Sequence, residues 1–190
     1  MERAGSTLLH GAARWLSRAA RNRRGVSAIE FALIFPLLIL LYVGAAETGN
    51  MLTIYRRTFQ IASTAADLTA QVKTVSNADL ADIVAASNSI MSPFATAPLR
   101  TVITSVVADN SNKTTVAWSY ASSGSGRGVN SAYPVPAGLT EAGSSVIVAE
   151  VTYAFTPLVN MTKYFSPGPF TMSQTFYARP RKSLTVTKTN

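Results

Sequence analysis

The chain has 190 residues, of which 47% are hydrophobic and 14% are charged, and its net charge is +8. This length accommodates one small domain in addition to an anchor segment. The sequence contains no cysteine, which excludes disulfides and thiolate chemistry, and its single histidine, His10, lies in an arginine-rich N-terminal segment. A Ser–His–Asp triad is therefore excluded in the rest of the chain. We expect no enzymatic activity and no cofactor or metal.

Residues 1–25 form a polar segment that contains six arginines and one acidic residue, Glu2. The segment directly precedes an apolar run. Basic residues beside a transmembrane segment favour the orientation in which they remain in the cytoplasm. Because most of the net charge is concentrated here, the charge indicates membrane orientation. It does not indicate a nucleic-acid partner.

Residues 26–46 form an apolar run of 21 residues with one charged side chain, Glu30. As a helix this run is about 31 Å long, which matches the hydrocarbon core of a bilayer. Pro36 lies inside the run and removes one backbone donor, so we expect a helix kink at this position. The run predicts a single transmembrane helix in contact with lipid.

Residues 47–72 continue the helical pattern beyond the apolar run. Apolar side chains recur at alternating three- and four-residue spacing, which is typical of an amphipathic helix. We expect this stripe to face the core of the following domain. It consists of Leu52, Tyr55, Phe59, Ala62 and Ala66.

Residues 73–190 are predicted to form an extracytoplasmic α+β domain with a short helix over residues 79–90, capped by Asn77. Beyond Pro98 the pattern changes from helical to alternating, which indicates strands. The predicted strands are 101–107, 114–120, 146–155 and 170–176. No βαβ rhythm is present, so the fold class is α+β: a long N-terminal helix followed by a small antiparallel sheet.

Three other features of this domain have simple interpretations. The Gly/Ser-rich stretch 121–131 is typical of a flexible loop. Glu150 lies on the polar side of a predicted strand, so we expect a solvated side chain. The basic group 179–182 indicates a solvated C-terminal segment that is able to dock on an acidic partner.

The junction between the first two segments carries the most specific pattern. Gly25 ends the polar segment, Val26 begins the apolar run, and Glu30 follows as its fifth residue, with Phe31 next to it. This junction resembles the class III signal of type IV pilins. The wider pattern resembles the TadE-like pseudopilins of the Tad (Flp) pilus system, and it includes Ala32, Pro36, a leucine-rich run, Gly44, Glu47 and Gly49.

The resemblance implies a role for several of these residues. In this family a prepilin peptidase cleaves after the glycine on the cytoplasmic face, here between Gly25 and Val26. The glutamate at the fifth mature position, here Glu30, helps to position the subunit during assembly. Phe31 stands where major Flp pilins usually have tyrosine, which favours a minor pseudopilin. The implied partners are other pilins or pseudopilins and the inner-membrane pilus machinery.

Several alternatives remain open at the level of sequence. Gly44, Ala45 and Ala46 resemble a signal-peptidase site, although the apolar run is longer than a usual secretory signal and contains Glu30. TadG-like relatives commonly lack the glutamate and carry a larger outer domain. A membrane-tethered extracytoplasmic binding module that does not enter a filament is the main alternative function, and an enzyme comes third.

The charge distribution generates a prediction of topology. With the arginine-rich segment in the cytoplasm, the C-terminal domain should lie in the periplasm of a bacterium, anchored in the inner membrane. A periplasm-active phosphatase fused after Asn190 is therefore expected to be active. Activity that appears only with a cytoplasm-active reporter at the same position would contradict this orientation.

Overall fold

The computed structural model describes residues 23–157 and 169–189. Most of the predicted leader, residues 1–22, lies outside these described residues. The first element is helix α1, Arg23–Ala70, with 48 residues and Pro36 inside it. At about 1.5 Å per residue it is about 70 Å long. The chain divides between Thr48 and Gly49 into two compact units.

The second unit is built around a four-stranded antiparallel sheet, in which β3 (Thr114–Ala121), β2 (Leu99–Ala108), β4 (Ser145–Phe155) and β5 (Phe170–Ala178) are neighbours in that order. The predicted α+β class, with a long helix before a small antiparallel sheet, is confirmed. Each of the four strands overlaps the segment predicted from alternating residues.

The C-terminal part of α1 packs on this sheet through small side chains. Ala62, Ala65 and Ala66 are fully buried and belong to core clusters that include Ile147 and Val151 of β4. Small side chains allow the backbone of a helix to approach the large β-branched side chains of a sheet closely. The buried side of α1 consists of Ile54, Thr58, Ile61, Ala62, Ala65, Ala66, Thr69 and Ala70.

The stripe predicted from the sequence is wrong for its three large members. Leu52, Tyr55 and Phe59 are 51%, 49% and 45% exposed. The sequence offers apolar residues on two neighbouring sides of the helix, and both sides follow a three-to-four spacing. Periodicity alone does not show which of the two sides is buried. In the structure, the side that carries the alanines packs on the sheet.

Helix α2, Asn77–Asn88, begins with a capping box, and a 3₁₀ turn, Ser89–Met91, follows it. The cap is Ser76, so the predicted cap at Asn77 is wrong by one residue. The Ser76 Oγ accepts a hydrogen bond from the backbone N–H of Asp79 at 3.2 Å, and Oδ2 of Asp79 accepts one from the backbone N–H of Ser76 at 2.8 Å. These bonds satisfy backbone donors that every helix N-terminus leaves without intrahelical partners.

The C-terminal segment is attached to the domain and is not a freely solvated terminus as the sequence suggested. The backbone N–H of Arg181 donates to the carbonyl of Ala70, the last residue of α1, at 2.9 Å, and the Arg181 side chain pairs with Asp67. Nε1 of Trp118 donates to the carbonyl of Val186 at 2.8 Å. Strand β6, Thr187–Lys188, then pairs in parallel with β1, Thr74–Val75.

The face of the sheet opposite α1 is partly covered by the segment between β3 and β4. Tyr133 is buried there in a core cluster with Val116 and Val148, and burial is the main cause that raises the pKa of Tyr133, followed by the charge of Glu150. Arg127 donates from Nε to Oε2 of Glu150 at 3.0 Å.

The Arg127–Glu150 contact corrects two expectations from the sequence. The Glu150 side chain is 18% exposed and paired, not solvated, and the hydrogen bond to Glu150 raises the pKa of the Arg127 guanidinium. The Gly/Ser-rich stretch is attached to the sheet at the same place, because the backbone N–H of Arg127 donates to Oγ of Ser119 at 3.0 Å. The approach is close, since a Cβ at Gly126 would lie 2.8 Å from the same oxygen. Because the Arg127 side chain is 52% exposed, solvent screens this ion pair, and its contribution to stability is about 1 kcal/mol or less.

The capping box of α2 generates a prediction of stability. Ser76→Ala removes one side-chain acceptor at the N-terminus of α2 and should lower the free energy of unfolding by about 1 kcal/mol. Chemical unfolding of the full chain in detergent measures this, followed by the fluorescence of the buried Trp118. Ser123→Ala is the matched control, because the side chain of Ser123 is exposed and forms no hydrogen bond within the described ranges. Equal destabilisation by both variants would contradict the role of the cap.

The capping box of α2 also predicts that the stability of the domain depends on pH. The hydrogen bonds from the backbone and side chain of Ser76 lower the pKa of Asp79 from its ordinary value of 3.8. The stabilisation is therefore fully present above that unfolded-state value and is lost as the pH falls through the lower folded-state pKa. The stability difference between the parent chain and Asp79→Asn should shrink as the pH falls below 3.8. A stability difference between the two chains that stays constant from neutral to acid pH would contradict stabilisation by the ionised Asp79.

Candidate functional site: the N-terminal part of α1

The N-terminal part of α1 carries large apolar side chains that are exposed along its length. Leu33 is 78% exposed, Leu41 is 68% and Val26 is 54%. Such a surface is not stable in water, so lipid or other protein helices must cover it. The helix is long and apolar enough to cross a membrane, and it fits a single-pass membrane anchor.

Glu30 lies inside this apolar surface. It is the fifth residue after Gly25, which places it about 7.5 Å along the helix axis at 1.5 Å per residue. Its side chain is exposed, and no hydrogen bond or ion pair joins it to another residue in the ranges that the structure describes. A carboxylate at the centre of a bilayer costs about 3 kcal/mol, and the cost falls when the group finds a partner or lies near the interface.

The residues on either side of Glu30 occupy open positions. A Cβ at Gly25 would meet no atom within 4 Å, so packing within the described chain does not require glycine there. Val26 and Phe31 are both more than half exposed, and the Phe31 ring lies 5.4 Å from that of Phe35 between centroids. Packing among the described residues therefore does not account for the residue types at this junction.

Helix α1 continues through Pro36 without a break in its helical assignment. Proline has no backbone N–H, so the carbonyl of Ala32 lacks the bond that a helix interior normally supplies. The expected kink at Pro36 stays a prediction. Farther along, the hydroxyl of Thr48 donates to the carbonyl of Gly44 at 2.8 Å.

A second candidate site, which the sequence analysis missed, lies on the sheet face opposite α1. Arg100, Arg127, Glu150, Thr152 and Ser173 line an open polar cavity. Both arginines already have partners, because Arg100 donates from Nε and Nη2 to the carbonyls of two loop serines, at 3.0 and 2.7 Å. The residues converge from different strands and a loop, so no local motif pointed to them.

Metal ligands do not cluster in the described ranges, 23–157 and 169–189. Within them, no group of three or more His, Asp and Glu side chains is placed to hold an ion. Two of the acidic residues of the domain form ion pairs instead: Asp67 with Arg181 and Glu150 with Arg127.

These features define a class of protein: a single-helix anchored protein with a small α+β domain, whose anchor begins at a glycine and carries one carboxylate. Residues 25–67 match the family model described as TadE-like protein. Over these residues the chain is similar to TadE-like proteins, a family associated with the Tad pilus. Searches of curated proteins and of solved structures gave no match.

The extent of the match agrees with the structure. It begins at Gly25, covers the exposed apolar part of α1 and ends at Asp67, near the end of the helix. The matched residues therefore comprise Glu30 and Phe31, together with the alanine side that packs on the sheet. The resemblance read from the sequence is confirmed, and it rests on this helix and not on the strands.

Proposed function

We propose that this protein is a minor pilin-like subunit, a pseudopilin, that a prepilin peptidase cleaves after Gly25 and that acts in assembly of the Tad pilus. The observation that carries the proposal is Glu30. A carboxylate lies five residues after a sterically unconstrained glycine, in an apolar helix, without a partner in the described residues. The protein acts by assembly with other subunits and not by catalysis.

Cleavage supplies the missing partner of Glu30. Hydrolysis of the peptide bond between Gly25 and Val26 creates a new α-amino group at the start of the apolar helix. This group is positively charged at neutral pH, because its ordinary pKa is about 7.7 to 8.0. The amine of one subunit pairs with Glu30 of its neighbour, so that two charged groups which are each costly in lipid are neutralised together.

Orientation and partners follow from this arrangement. The arginine-rich leader remains in the cytoplasm, where the peptidase acts, and the α+β domain lies on the periplasmic side. The partners are the lipid bilayer, the peptidase, and other pilins or pseudopilins of the inner-membrane machinery. Phe31 and the presence of a sheet domain favour a minor subunit over the main filament subunit.

The polar cavity on the outer sheet face favours a second candidate function. In that alternative the chain is a membrane-tethered binding module that never enters a filament, and the cavity around Arg100 and Thr152 holds a polar ligand. Shearing of pili from cells separates the two functions. A pseudopilin is recovered in part with the sheared filaments, whereas a tethered module stays with the membrane.

Processing after Gly25 predicts a mature chain that begins at Val26. Intact-mass measurement on protein from the native host checks this. Gly25→Leu should block cleavage, because the peptidase requires a small residue there. Gly44→Leu is the matched control, since a Cβ at either glycine meets no atom within 4 Å. A mature chain that starts at Glu47, or cleavage lost in the control alone, would contradict the proposal and favour an ordinary signal peptide.

The role of Glu30 predicts a defect in assembly and not in stability. Glu30→Ala removes the cost of a carboxylate in lipid, so the protein level and the cleavage after Gly25 should be unchanged. Loss of the intermolecular pair should abolish piliation or co-purification with other pilins. Glu30→Gln keeps the shape and removes the charge, and it should show the same loss. Leu33→Ala is the control for an exposed apolar position nearby. Normal pili with both Glu30 variants would contradict the pairing.

A further inference from the structure

Within residues 23–157 and 169–189, the outer edge of strand β5 carries no further strand. β5 is the last strand in the order of the sheet, and it pairs with β4 over all nine of its residues. In an antiparallel edge strand, alternate residues point their N–H and C=O groups away from the sheet. Within the residues that the structure describes, β4 is the only strand that pairs with β5.

The sequence of β5 contains none of the features that usually prevent pairing at a sheet edge. Natural proteins protect long edges with lysine, proline, bulges or very short strands. Strand β5 has the sequence FTMSQTFYA, which contains no charged residue and no proline, and its register with β4 is uninterrupted. Such an edge is a template for addition of another strand.

The opposite edge of the sheet is covered over part of its length. The first residues of β3 contact the segment that follows the strand, because the backbone N–H of Val116 donates to the carbonyl of Ser131 at 2.9 Å, and that of Tyr133 donates to the carbonyl of Thr114 at 3.2 Å. Full-length pairing of β5 of one molecule with β3 of the next, as in a head-to-tail array, would have to displace this segment. Pairing of β5 with β5, which closes as a two-fold dimer, needs no such displacement.

Exposed aromatic side chains lie beside the open edge. Phe170, the first residue of β5, is 45% exposed. Phe59 of α1 is also 45% exposed, and its ring contacts that of Phe176 edge-on, at 5.8 Å between centroids. A strand added at β5 would cover part of this apolar surface, which the fold of one copy leaves in contact with water.

A second copy of β5 is complementary to the first. Antiparallel pairing of the full strand with itself places the two-fold axis at its middle residue, Gln174. On the helix side, Met172 then lies opposite Phe176 of the second copy. On the other side, Ser173 lies opposite Thr175. Apolar residues therefore meet apolar residues and hydroxyls meet hydroxyls, and no like charges face each other.

We propose that β5 is a self-association edge, at which two copies of this chain pair antiparallel about Gln174 and form one continuous eight-stranded sheet. The pairing extends the backbone hydrogen bonding of the four-stranded sheet across the two-fold axis. It is separate from the pairing of Glu30, since β5 and the start of α1 are different parts of the chain.

The absence of cysteine from the sequence allows a direct test by cross-linking. The full-length Gln174→Cys variant is expressed in the native host and its membranes are treated with an oxidant. Directly opposed residues of an antiparallel pair have Cα atoms about 4.5 to 5.5 Å apart, which suits a disulfide. A disulfide-linked homodimer is expected for most of the protein. Ala117→Cys, at an exposed position in β3, is the matched control and should remain monomeric.

A charge-swap experiment tests the register. In the background of the Gln174→Cys variant, Ser173→Lys with Thr175→Lys places like charges opposite each other across the axis, and the yield of dimer should fall at least tenfold. Ser173→Asp with Thr175→Lys places opposite charges there instead and should restore the dimer. The two variants differ at one exposed position, and resistance to proteolysis shows that each is folded.

Three results would overturn the proposal. The first is a monomeric Gln174→Cys variant, and the second is equal cross-linking at positions 174 and 117, which indicates collision through the membrane anchors. The third is a disulfide from position 174 to a different protein, which assigns the edge to another partner. Processing and piliation are measured on the same strains, so a failure of β5 pairing is distinguished from a failure of the proposed pilus function.

Discussion

The close packing of the alanine side of α1 against β4 and the neighbouring strands is the contact on which the domain depends. Ala62, Ala65 and Ala66 are fully buried, and no larger side chain separates the helix backbone from the sheet at these positions. Once this side faces the sheet, the end of the helix is fixed as well. Ala70 then accepts a hydrogen bond from the backbone of Arg181, and Asp67 pairs with the side chain of the same arginine.

A single helix thus meets two different physical demands along its length. Its N-terminal part exposes leucine, isoleucine and phenylalanine, which suits a hydrocarbon environment, whereas its C-terminal part buries small residues against strands. The family match covers both parts. Glu30 is the exception in the first part, because a carboxylate without a partner is costly in lipid. In the proposed assembly, a positively charged partner from a second subunit offsets this cost.

The domain presents a related situation at β5. A strand edge with free N–H and C=O groups is tolerated by one copy in water, but its backbone groups are better satisfied by a second strand. Among the described residues, β3 is covered over its first residues and β5 carries no further strand at its outer edge. This asymmetry favours the proposed pairing of two β5 strands over a head-to-tail array. The proposed contacts at the N-terminal helix and at the sheet edge are independent of each other.

Several long-range contacts lay beyond what the sequence indicated. Glu150 pairs with an arginine 23 residues away, and Asp67 with one 114 residues away. Glu150 and Asp67 lie at positions that are typical of exposed polar residues, so the local sequence predicts that both side chains are solvated. The cap of α2 was misplaced by one residue for a smaller reason, because both Ser76 and Asn77 are good capping residues and only the backbone geometry selects between them.

The sequence by itself determined the features that depend on neighbouring residues: the apolar span from Val26, the position of Glu30 after Gly25, and the alternation that produces the four strands. These are local because helix and strand periodicities repeat within two to four residues. Only the tertiary structure decided which side of α1 is buried and, among the described residues, which strands lie at the edges of the sheet. Those choices depend on how closely distant segments approach one another, and a three-to-four spacing shared by Phe59 and Ala62 contains no information about that distance.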